Sequence, residues 1–185
     1  MQRRLSTLMA PALILLTACG TSRLSRREAE KDIRQDYPVI VPIRVPARTA
    51  VAAGSPEAAK LIAAQDLLRK TGWFAAEHHT EGAQEVFTFN ALPSASNVVR
   101  TSAKGWEIPA AEAGFVRATR LEANGDSARV TYLVRLQKPT AQFGLFQSLH
   151  PGVRIGETKE RHAAYRREGR SWILQDTDEA FKKER

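Results

Sequence analysis

Residues 115–137, Phe-Val-Arg-Ala-Thr-Arg-Leu-Glu-Ala-Asn-Gly-Asp-Ser-Ala-Arg-Val-Thr-Tyr-Leu-Val-Arg-Leu-Gln, carry the strongest local fold signal in the chain. Two alternating runs flank Asn124-Gly125, a dipeptide suited to a tight hairpin because Asn and Gly tolerate positive φ. In the second run Ala128, Val130, Tyr132, Val134 and Leu136 share one phase, and Arg129, Thr131 and Arg135 the other. Side chains alternate across a strand, so one face is expected buried and one wet, as in an antiparallel sheet with a solvated side.

Working outward, residues 161–167 and 171–175 form a second expected hairpin across Glu168-Gly169-Arg170. Residues 85–90, with Val86, Phe87 and Phe89, read as a short strand. Residues 39–45 are apolar and extended, but Pro42 has no amide donor, so the segment is expected to be an edge strand or an irregular one. Residues 47–54, 91–105 and 139–153 read as loops; the last carries Phe143, Leu145 and Phe146.

Two helices precede the strands. Ser55-Pro56-Glu57 opens one with a cap, a first-turn proline and an acid near the positive helix end. It is predicted over 56–71, with Leu61, Ala64 and Leu68 inward and Gly72 in the left-handed position after the last turn. Ser25-Arg26-Arg27-Glu28 is a capping box for the other. Only Ala29, Ile33 and Tyr37 make its apolar stripe, so it is expected to be a solvated spacer ending at Pro38. The sum is an α+β domain: one main helix packed on a twisted antiparallel sheet of about four to five strands, preceded by a charged N-terminal helix.

The N-terminus has its own logic. Arg3 and Arg4 precede an apolar run, residues 5–16, too short to span a bilayer, which needs ~20 residues. Small residues follow, the layout of a secretory signal peptide. Leu16-Thr17-Ala18-Cys19 resembles the lipobox of bacterial lipoproteins. That resemblance implies cleavage before Cys19 and a diacylglyceryl group on its thiol, chemistry that uses the nucleophilicity of a thiolate. It also accounts for a lone cysteine in an exported chain, where cysteines are usually paired. Arg3-Arg4 has no fuller twin-arginine motif around it, which favours general secretion. Gly20 stands where an Asp would imply retention in the inner membrane, so the resemblance points to the outer membrane, facing the periplasm.

The expected organisation is a signal peptide at 1–18, a lipidated tether and charged helix at 19–37, one domain at 38–175 and a charged tail at 176–185. Loss of Arg3 and Arg4 with the leader lowers the net charge from +8 to +6. The segment Leu67-Leu68-Arg69-Lys70-Thr71-Gly72-Trp73-Phe74, followed by strand, loop and long hairpin, is similar to a recurring class of small bacterial lipoproteins. The closing strands resemble cystatin-like or NTF2-like sheets. These likenesses cover about residues 56–175 and imply architecture alone.

Residue types that carry chemistry are sparse. His78 and His79 are adjacent and point to opposite faces of a strand; His150 and His162 have no ligand-like companions, so no metal site is expected. Ser96, Ser102 and Ser148 lack a glycine-rich elbow, and no phosphate loop is present. No catalytic residue and no cofactor is assigned. Arg117, Arg129, Arg135 and Arg167 form a candidate anion-binding patch, suited to lipid phosphates, cell-wall carboxylates or acidic proteins. Phe143, Leu145 and Phe146 are candidate partner contacts if exposed. The partners expected are the membrane, through lipid on Cys19, and an envelope protein or anionic envelope component, but not nucleic acid. The leading expectation is a non-enzymatic envelope binding module. The alternatives are a small-ligand or lipid binder with a helix-on-sheet cavity, and an enzyme acting on envelope polymers or lipids.

Overall fold

A computed structural model describes residues 23–179. Its elements run α1 (Arg26–Arg34), β1 (Val39–Pro46), β2 (Arg48–Ala52), α2 (Pro56–Lys70), β3 (Phe74–Glu81), β4 (Gln84–Ala91), a 3-10 turn (Pro93–Ala95), β5 (Arg100–Ser102), β6 (Gly105–Asn124), β7 (Ser127–Gln137), α3 (Phe143–Leu149), β8 (Thr158–Glu168) and β9 (Ser171–Thr177). Strands dominate. A six-stranded antiparallel sheet has the order β1-β6-β7-β8-β9, with β5 also on β6; a second, three-stranded sheet has the order β2-β4-β3.

This corrects the expected fold class, one main helix on a four- to five-stranded sheet. The main helix does form, capped by Ser55 as its sequence requires. It lies against the small sheet, where the Gln65 amide and the Arg69 guanidinium both donate to the Ala76 carbonyl of β3. Its buried residues are Ala58, Gln65 and Leu68. A polar side chain on the inward stripe is tolerated because its donor finds that carbonyl.

Strand β6 is the spine. Its first half pairs with β1 and its second half with β7. Pro109 and Gly114 hide it from pattern reading, since both residue types weaken the strand signal. Pro109 sits opposite Pro42, next to a register shift on the edge strand β1. The β6–β7 hairpin closes through Gly125-Asp126, one residue later than the Asn-Gly dipeptide suggests, with only Gly125 at positive φ of 59°. A glycine at the first central position is what a II′ loop requires. The inward phase of β7 is as expected, with Ala128, Val130, Tyr132 and Val134 buried.

Two apolar cores result. One gathers β1, α2, the small sheet, the first half of β6 and α3. The other gathers Leu24, α1, the second half of β6, β7 and β8. The α1 helix is therefore no solvated spacer. Ala29 and Ile33 are both 0 % exposed. The Tyr165 hydroxyl donates to the Ala29 carbonyl at 3.2 Å, and the Ala118 amide donates to Glu30 at 2.9 Å. Leu24, ahead of the helix, is buried in the same core. At the other end Thr177 and Glu179, expected in the tail, are buried.

Gly105 opens β6 opposite Pro46 of β1 at a φ of 130°, and a Cβ there would overlap the Val45 carbonyl oxygen and the Ala47 amide nitrogen. Backbone atoms cannot swing away as a side chain would. Gly105→Ala should therefore cost at least about 2 kcal/mol in urea unfolding. A loss near zero would show that this crossing is looser than the geometry implies.

Candidate binding site

The inward face of β7 is not covered along its whole length. Helix α1 caps one end of the curled sheet and α3 the other, and beside α3 a hollow of about 460 Å³ opens among β1, β7 and β8. Val134 and Leu136 of β7, Phe146 of α3 and Val153 make much of its apolar wall. Arg44 of β1, Lys159 and Arg161 of β8, and His150, Glu157 and Glu179 supply its polar groups. On β8 the alternation that buries Ala163 and Tyr165 under α1 turns Arg161 and Lys159 toward the hollow.

At the edge of the hollow the charges are organised. Glu179 is 4 % exposed. The Tyr37 hydroxyl donates to its carboxylate at 3.1 Å and lies 3.2 Å from the Tyr132 hydroxyl. Arg161 Nε is 3.5 Å from the same carboxylate oxygen, an ion-pair distance too long for a strong hydrogen bond. Phe115 packs against both tyrosine rings. Burial is the main reason that both tyrosines are pushed above their ordinary value of 10.0, Tyr37 far above it; the nearby Glu179 charge acts in the same direction. Both phenols stay protonated at neutral pH and act as hydrogen-bonding groups rather than bases.

These shifts set an alkaline limit on stability. The folded state keeps its two phenol protons where the unfolded chain has lost them, so it binds more protons above pH 10.0. The stabilisation is whole below that pH and falls as pH rises beyond it. Urea midpoints measured across this range should drop, and Tyr37→Phe/Tyr132→Phe should drop less steeply. Parallel curves for parent and variant would refute the coupling.

The cluster was not legible beforehand, because Tyr37, Tyr132, Arg161 and Glu179 come from four distant segments. Only the inward phase of Tyr132 and the predicted strand position of Arg161 were readable signals.

The candidate anion patch is divided. Arg117 stands opposite Leu133, and Arg135 lies two positions along β7 on the same outward face. Arg129 faces Glu122 across the β6–β7 pair. Arg167 is elsewhere, paired with Asp126 of the β6–β7 turn. Phe143, Leu145 and Phe146 lie on α3 rather than in a loop. Phe143 and Phe146 are buried in the first core, and the partly buried Leu145 packs against it.

The histidines are dispersed. His78 stacks on Phe87 with centroids 4.6 Å apart and contacts Glu85, His79 contacts Glu81, and His162 contacts Asp178. Among the described residues no group of three or more His, Cys, Asp or Glu side chains is arranged to hold a metal. Cys19 lies outside the described residues.

Fold and site together define a two-sheet antiparallel domain with a largely apolar hollow beside α3. No protein family, curated protein or solved structure matches the chain.

Proposed function

We propose that this chain is a lipid-anchored envelope protein that binds a small, largely apolar molecule in the hollow beside α3, among β1, β7 and β8, without converting it chemically. The observation that carries the reading is the hollow itself. Its volume of about 460 Å³ suits a small ligand, and apolar walls with a few convergent polar groups are the usual makeup of such sites. Glu179 is already engaged by Tyr37 and Arg161, and both tyrosines are held protonated, which favours holding a ligand over proton transfer. A second groove of about 700 Å³ runs between α2 and β1, but no buried polar cluster converges on it.

The anchor rests on Leu16-Thr17-Ala18-Cys19, and with Gly20 it favours the periplasmic face of an outer membrane. Among the described residues no helix is long and apolar enough to cross a membrane. Labelled palmitate should enter the parent in cells and not Cys19→Ser; equal labelling of the two would sink the anchor. For the hollow, a fluorescent polyene fatty acid is the probe. Its affinity should fall at least about tenfold in Leu136→Trp, which fills the hollow and removes the space a buried chain needs. Unchanged affinity would mean that the probe sits elsewhere.

A further inference from the structure

We infer that the outer face of α1 is a docking surface for an anionic phospholipid bilayer, the one in which lipid on Cys19 would be held. This rests on the anchor proposed above. At 3.6 residues per turn, Arg27, Lys31 and Arg34 fall on one stripe, across the helix from the buried Ala29 and Ile33. All three are exposed, and together they line one shallow depression with Glu30 and Gln35.

The two glutamates of α1, Glu28 and Glu30, are turned to other work. Glu28 folds back on Ser25, accepting from its amide at 2.9 Å and its hydroxyl at 2.7 Å. Glu30 accepts the Ala118 amide of β6 at 2.9 Å. The Arg34 guanidinium sits 5.0 Å above the Phe115 ring, which positions the cation without neutralising it. The depression therefore presents three cations beside one carboxylate that is tied to backbone. On the outward sheet face, by contrast, Arg120 and Arg129 stand beside Glu122.

Chain length places this surface near lipid. Seven residue steps separate Cys19 from Arg26, so whatever path they take, the helix begins within about 25 Å of the anchored cysteine. Attraction to anionic lipid acts within a Debye length, about 8 Å at physiological salt, which the short tether lets the α1 face reach. An acyl anchor combined with a basic surface is a recognised two-part mode of membrane attachment. Here the basic part would hold the domain in one orientation on the bilayer.

The test uses the mature chain, residues 19–185, carrying Cys19→Ser. It keeps every residue of both cores and has no acyl chain to mask the face. It should float with phosphatidylglycerol-containing vesicles at low salt and not with phosphatidylcholine alone. Arg27→Gln/Lys31→Gln/Arg34→Gln should reduce the partition by about a hundredfold, from the usual contribution of three basic residues near an anionic surface. The same three changes at Arg117, Arg129 and Arg135 should leave it nearly intact. Equal partition of the α1 triple variant and parent would overturn the proposal, as would parent binding that ignores salt. Binding of inorganic phosphate without binding of vesicles would overturn it too. Palmitate labelling reads the anchor separately, so a failed anchor and a failed face give different results.

Discussion

Ile33→Ala lowers the unfolding free energy by about 2–5 kcal/mol, the range for truncating a fully buried aliphatic side chain. Ile33 is 0 % exposed in the core built by α1, β6, β7 and β8. The vacated volume cannot collapse easily, because α1 is tied on both flanks. The Tyr165 hydroxyl holds the Ala29 carbonyl, and Glu30 holds the Ala118 amide. Ile33→Val, which removes one methylene, should cost only about 0.5–1.5 kcal/mol. A chain shortened to residue 38 should fail to fold, since it exposes the faces of Val130, Ala163 and Tyr165 that α1 covers. Urea titrations followed by circular dichroism read all three. If Ile33→Ala matches the parent, α1 is a spacer after all.

Tyr132→Ala should cost about as much as a buried Phe→Ala change, about 3–5 kcal/mol. Tyr132 is among the largest fully buried side chains, wedged against Tyr37 and Phe115. Tyr132→Phe separates packing from hydrogen bonding. It deletes the hydroxyl while Tyr37 keeps Glu179 as its acceptor. The expected cost is that of one net hydrogen bond, about 0.5–1.5 kcal/mol. A Phe variant as damaged as the Ala variant would show that the polar cluster, not the ring, holds this region.

The two sets bear on different questions. The Ile33 series asks whether the N-terminal helix belongs to the fold. The Tyr132 series asks what holds the aromatic cluster beside the proposed ligand hollow. They can be read against each other because both residues belong to the same core.

Local signals were read well where the physics is local. Both helix caps occur as their residues dictate, Ser25 with Glu28 and Ser55 with Pro56. Gly72 is left-handed, at φ 71°. The two long hairpins and the inward phase of β7 followed from alternation and turn chemistry. What failed was non-local. Strand β3, Phe-Ala-Ala-Glu-His-His-Thr-Glu, has few good strand formers and exists because β4 pairs with it. Residues 139–153 looked like loop because Pro139 and Gly144 interrupt them, yet Phe143 and Phe146 find an apolar sheet end to cover and form α3. The narrow stripe of α1 suggested solvent on nearly all sides, but two fully buried residues suffice when the surface beneath is a concave sheet.

By itself the sequence determined the caps, the turns, the strand phases and the lipobox-like Leu16-Thr17-Ala18-Cys19, because each depends on residues within a few positions of one another. Only the tertiary structure decided that α2 serves the small sheet, that α1 closes the large one, and that Tyr37, Tyr132, Arg161 and Glu179 meet beside a hollow. Those contacts join residues up to 142 positions apart. They are selected by how a curled sheet and its helices share buried area, which no local pattern records.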